Sequence, residues 1–104
     1  MQTSIINVRG LSGTEYTFTV YPWGVTFRPI GAVYLVLAHN GTDFSLVYAG
    51  QTGDLSGRFT AHHKQNCFDH HGKTHIALLL EPIENNRLRI ERDVIRKYSP
   101  ICND

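Results

Sequence analysis

Long apolar runs are missing from this 104-residue chain. The longest, Ala32 to Ala38 and Ile76 to Leu80, fall far short of the roughly 20 residues a membrane helix needs. Met1-Gln2-Thr3-Ser4 carries no basic stretch ahead of an apolar one, so no signal peptide is expected. Cysteine is scarce. Cys67 and Cys102 are the whole supply. Two cysteines do not make a disulfide framework, and a reducing cytoplasm is the simplest expectation. Charge of one sign is also lacking, with a net charge of +1. Proteins that grip long nucleic acid non-specifically usually carry a larger basic excess. No membrane partner is expected.

What is present is ordinary globular chemistry, with 41% hydrophobic and 18% charged residues. One domain fits this length. Basic residues cluster locally, at Arg87, Arg89, Arg92, Arg96 and Lys97. Alone, such a run reads as a solvated helix face. Six histidines are many for the length. They become positive only at lower pH or in a favourable setting.

Tyr16, Phe18 and Val20 alternate with Thr17 and Thr19, as in a half-buried strand. Pro22-Trp23-Gly24 interrupts it and Val25-Thr26-Phe27 resumes, which predicts a β-hairpin within residues 1–30. Gly31 to Ala38 reads as a strand covered on both faces. An Asn40-Gly41 turn and a second strand over Phe44 to Ala49 follow. A helix is expected from Thr52 or Asp54 to about Lys64, with Leu55 and Phe59 inward. Residues 65–73 read as loop, Thr74 to Glu81 as a third core strand, and Glu84 to Tyr98 as a last helix between Pro82 and Pro100. The expected fold is therefore α+β. A small, mostly antiparallel three-stranded core sheet over residues 31–104 is flanked by helices, and the N-terminal hairpin is an addition to it.

Three features suggest chemistry. Glu91 shares a helix face with Leu88, Ile95 and Tyr98. A carboxylate among apolar neighbours needs a partner, a proton or a cation. A structural ion pair is the commoner answer. Arg58 and His62 are four residues apart and would project together from the first helix. A guanidinium suits phosphate and an imidazole exchanges protons near neutrality. Alone, the pair reads equally as an exposed polar face. Tyr34 and Tyr48 lie on adjacent strands, where core packing is the default role.

Together these residues resemble the GIY-YIG nuclease superfamily. Its two strand motifs are matched by Ala32-Val33-Tyr34 and Tyr48-Ala49-Gly50. The junction Gly50-Gln51-Thr52-Gly53-Asp54-Leu55-Ser56-Gly57-Arg58 leads to the family's arginine. His62 and His71 resemble histidines of some members. Glu91 matches the metal-binding glutamate, and Tyr98-Ser99-Pro100-Ile101-Cys102-Asn103 the closing motif with its asparagine. Ala32, Val33 and Ala49 replace small or apolar motif residues, and Gln51 stands where many members carry lysine.

The resemblance implies a one-metal phosphodiester endonuclease. Glu91 would hold one Mg²⁺ or Mn²⁺. Arg58 would bind the scissile phosphate, Tyr34 would activate water with help from His62, and Tyr48 would orient that network, or the two tyrosines would exchange roles. Gln51, His71 and Asn103 would contact substrate or support the site. Nucleic acid is the implied partner, DNA ahead of RNA, and a homodimer would ease cutting of both strands. A catalytically silent nucleic-acid-binding module of the same fold is the alternative. A zinc-stabilised interaction domain using His62, His63, Cys67, His70 and His71 is a third reading, although their spacing matches no standard pair of metal knuckles.

Overall fold

The computed structural model describes residues 4–57 and 62–103. Five strands, β1 (Ser4–Arg9), β2 (Glu15–Pro22), β3 (Ala32–His39), β4 (Phe44–Thr52) and β5 (His75–Leu80), form one antiparallel sheet. Their order is β1-β2-β5-β3-β4. Helices α1 (Gln65–His70) and α2 (Glu84–Tyr98) and a short 3-10 turn, η1 (Ile101–Asn103), complete the described elements.

The α+β class holds, but the expected three-stranded core does not. β2 pairs with β5 from Thr19↔Leu78 to Pro22↔His75. The N-terminal strands therefore extend the core sheet itself. The hairpin itself also differs. β2 turns back onto β1, in register from Ser4↔Val20 to Arg9↔Glu15, and Val25 to Phe27 form no strand. The turn lies at Gly10–Thr14, closed by Gly10 N–H donating to Thr14 O at 2.9 Å. Gly13 adopts φ 91°, a left-handed conformation that glycine takes without a Cβ penalty. Ile6 and Val8 alternate inward along β1 toward the core.

The strand β3 is buried from Ala32 to Leu37 and divides the interior in two. Val33, Leu35 and Leu37 meet Phe18, Ala77, Ile90 and Val94 beneath α2. Ala32, Tyr34 and Val36 meet Tyr48, Phe68, Ile76 and Cys102 on the other face, beneath α1 and η1. A bulge between Val36 and Leu37 sets Val47 and Tyr48 toward the same cluster despite their being consecutive.

The helices correct three further expectations. None of the described residues 52–57 is helical, and Asp54 Oδ1 accepts from Ser56 N–H at 2.9 Å, so no helix starts at Thr52 or Asp54. Residues 65–70, read as loop, are helical. The helix α2 has the expected bounds but a different inner stripe. Arg87, Ile90 and Val94 are buried, whereas Leu88 and Tyr98 are 37% and 43% exposed. Ser99 ends it in the left-handed conformation just before Pro100.

The β1–β2 turn is tied to α2 through Asp93. Ser12 donates to its carboxylate from N–H at 2.9 Å and from Oγ at 2.7 Å, and Tyr16 Oη donates at 2.7 Å. The Ser12 and Tyr16 hydrogen bonds hold the Asp93 carboxyl below its ordinary value. Burial, reinforced by the Asp93 hydrogen bond, raises Tyr16. A depressed carboxylate stabilises the fold above its unfolded value, about 4, and that contribution disappears as pH falls through the folded value. A raised phenol stabilises below its unfolded value, about 10, and is lost at higher pH. Thermal unfolding should therefore fall more steeply for wild type than for Asp93→Asn as pH drops from 6 to 3. Parallel curves would contradict the tie.

Candidate active site

The two tyrosines are placed by strand pairing. Tyr34 lies opposite Gly50, and Tyr48 lies opposite Val36 on the same face. Their rings are 6.0 Å apart, centroid to centroid. Gly50 makes this possible. A Cβ there would stand 2.6 Å from Tyr34 Oη and 2.8 Å from a Tyr48 ring carbon.

His62 completes the cluster. Its Nε2 is 2.8 Å from Tyr34 Oη, and its ring is 5.2 Å from that of Tyr48 and 4.9 Å from that of Phe68. The Lys64 backbone N–H donates to Nδ1 at 3.0 Å. A nitrogen that accepts carries no proton, so the neutral ring holds its proton on Nε2. His62 thus donates to the Tyr34 oxygen. A hydrogen bond donated to a phenol oxygen favours the form with more negative charge there. The three side chains are deeply set, with Tyr34 at 0%, His62 at 6% and Tyr48 at 9% exposure.

Asn103 reaches this region from η1. Its Nδ2 donates to Ala49 O and its Oδ1 accepts from Ala49 N–H, both at 2.8 Å. Ala49 lies between Tyr48 and Gly50 on β4, a sheet edge. Asn103 therefore satisfies edge backbone groups and anchors η1. Asn103→Ala leaves both Ala49 groups without that partner and should cost about 1–3 kcal/mol, read as a lower urea midpoint. An unchanged midpoint would mean that water replaces the amide without loss.

Gln51 accepts from Arg87 Nε at 2.9 Å. Arg87 belongs to the basic run whose expected place is a solvated face, yet it is 6% exposed. Its Nη1 donates to Glu81 O at 3.0 Å and to Pro82 O at 2.9 Å. The guanidinium lies against Gly31 and Gly53, where a Cβ would come within 2.6 and 3.3 Å of its nitrogens. A cation is thus held beside Gln51, supplied from α2. The sequence signal was the helical spacing of Arg87 with Ile90 and Val94.

The remaining candidates lie on the helices, at the end of α1, or outside the described residues. Glu91 is half-buried one turn beyond Arg87, on the helix that packs over the opposite face of the sheet. His71 is exposed at the end of α1, with its ring 4.9 Å from that of His70. Arg58 and Phe59 lie outside the described residues. The two cysteines, too few for a disulfide framework and expected in a reducing setting, are joined as a Cys67–Cys102 disulfide. Among the described residues no helix is long and apolar enough to cross a membrane.

No family model, curated protein or solved structure matches this chain.

Proposed function

We propose that the protein is a metal-dependent endonuclease that hydrolyses phosphodiester bonds in nucleic acid, DNA ahead of RNA, in the manner of the GIY-YIG nucleases it resembles. The observation that carries this reading is the buried Tyr34 Oη–His62 Nε2 contact of 2.8 Å beside Tyr48. A phenol oxygen that receives a hydrogen bond from an imidazole gives up its own proton more readily than a free phenol, which ionises only near about pH 10, and the phenolate so formed is the species that can accept a proton. His62 would favour the ionised form of Tyr34 Oη, that phenolate would take the proton of the attacking water and return to neutral phenol, and Tyr48 would set the ring positions. Asn103 and Gly50 are positioning residues for both tyrosines.

Glu91 fits the part of a magnesium ligand, because Mg²⁺ keeps several waters and needs only one or two carboxylates. Once bound, one Mg²⁺ or Mn²⁺ would supply charge stabilisation at the phosphate oxygens. Arg58 would bind the same phosphate, and Arg87, fixed by Gln51, adds a second cation near the end of β4. A homodimer would bring two such sites to a duplex. In a reducing cytoplasm, the setting that goes with this reading, Cys67 and Cys102 would be thiols.

A silent nucleic-acid-binding module is the second reading. It is favoured by the complete burial of Tyr34 and by the packing of α2 on the opposite face of the sheet. Incubating plasmid and single-stranded DNA with the protein, in Mg²⁺ or Mn²⁺ and in chelator, separates the two. The nuclease reading expects cleavage that chelator stops and that Arg58→Ala lowers by about 10²-fold or more. Binding without cleavage in any metal would leave the second reading standing.

A further inference from the structure

Three metal-ligating side chains meet away from the tyrosine cluster. The ligand atoms of Cys67, His71 and Cys102 all lie within 4.8 Å of one another. The sequence alone suggested a histidine-rich ligand set drawn from residues 62–71. The structure engages His62 with Tyr34 and adds Cys102 from the C-terminal turn. Cys67 lies in α1 and His71 caps the helix's C-terminus four residues on, so the two come to the same side. The two cysteine Cα atoms are 5.9 Å apart. Cys102 is buried, Cys67 half-buried and His71 exposed, which leaves approach open from the histidine side.

We propose that reduction of the Cys67–Cys102 disulfide by a dithiol creates a site in which both thiolates and the His71 imidazole bind one Zn²⁺. The dithiol supplies two electrons and two protons and leaves as its own disulfide, so Cys67 and Cys102 become thiols. Zn²⁺ then displaces the two thiol protons. Two sulfurs and one nitrogen suit Zn²⁺, which takes sulfur at about 2.3 Å and nitrogen at about 2.0 Å and completes a tetrahedron with water. Small side-chain rotations cover the change, because the three atoms already converge within 4.8 Å.

The metal would take over the disulfide's structural task. Cys67 neighbours Phe68, which packs on Tyr48 and His62, and Cys102 neighbours Asn103, which holds Ala49. Either cross-link therefore joins the same two supports of the tyrosine cluster. This inference does not rest on the nuclease reading, since it is read by metal binding alone.

The test is titration of the full chain with Co²⁺ without oxygen, before and after reduction by excess dithiol and its removal. Zn²⁺ is then added to displace Co²⁺. The expected result is one Co²⁺ per reduced chain, with a thiolate-to-cobalt charge-transfer band and the visible bands of tetrahedral cobalt. Oxidised protein should show neither. His71→Ala, a change at an exposed position, should weaken binding by at least about tenfold. Zn²⁺ should raise the melting temperature of reduced wild type and not that of the oxidised protein. Absence of the charge-transfer band in reduced wild type would overturn the proposal. So would equal affinity in His71→Ala. The Cys67→Ser/Cys102→Ser variant should bind no Co²⁺ with sulfur character. If it does not fold, oxidised wild type and His71→Ala still decide the matter.

Discussion

Tyr34→Phe should lower the single-turnover cleavage rate by about 10²–10³-fold, the range for loss of a positioned acid–base group. Nucleic-acid affinity should change little, because phenylalanine keeps the buried ring and removes only the hydroxyl. The same change removes the acceptor from His62 Nε2–H. A buried donor left unpaired costs about 1–3 kcal/mol, so the variant should melt lower yet remain folded. Circular dichroism and binding measured beside the rate separate the two effects. A folded Tyr34→Phe protein that cleaves at the wild-type rate would remove Tyr34 from the reaction and leave it a packing residue.

The second large effect concerns the disulfide. Cys67 and Cys102 are 35 residues apart in sequence. Closing a loop of that size restricts the unfolded chain and stabilises the fold by about 3–4 kcal/mol in the chain-entropy account. For a domain this small, that corresponds to a fall of roughly 15 °C in melting temperature on reduction. The measurement is calorimetry with and without dithiol, in chelator so that no metal replaces the bond. Loosening of α1 and η1 should also reach the site, because Phe68 and Asn103 are their contacts with Tyr48 and Ala49. A reduced protein that melts where the oxidised one does would show that packing alone holds these elements.

What could be read from the sequence followed the strength of local patterns. The strand β3 is a continuous apolar run that only a doubly covered strand explains. The Asn40-Gly41 turn matches the observed φ of 97° at Gly41. The bounds of α2 follow from Pro82, Pro100 and a 15-residue stretch between them. The partner of β2 was not legible, since Tyr16, Phe18 and Val20 state a buried face without naming a neighbour. Gly10 and Gly13 marked the true turn, but Val25-Thr26-Phe27 offered a competing strand pattern. The helix α1 was hidden because six residues with Phe68 as the deeply buried anchor show no helical period.

Within the candidate site, motif order led to Tyr34, Tyr48 and His62, and the structure brings these together. Arg87 was missed because a basic run usually faces water, and burial of one member depends on tertiary acceptors such as Gln51 Oε1. The disulfide was missed for a similar reason. Two distant cysteines carry no pairing information until the chain brings α1 beside η1. His71 was grouped with the substrate by resemblance, whereas its geometry groups it with the two sulfurs.

The most direct measurement is the ratio of single-turnover cleavage rates for wild type and Glu91→Ala on one DNA substrate at saturating Mn²⁺. Loss of a carboxylate that holds the metal should remove several kcal/mol of transition-state stabilisation, so the ratio should be on the order of 10³. Wild-type cleavage with a ratio near one would contradict the assignment of Glu91 to a one-metal phosphodiesterase site.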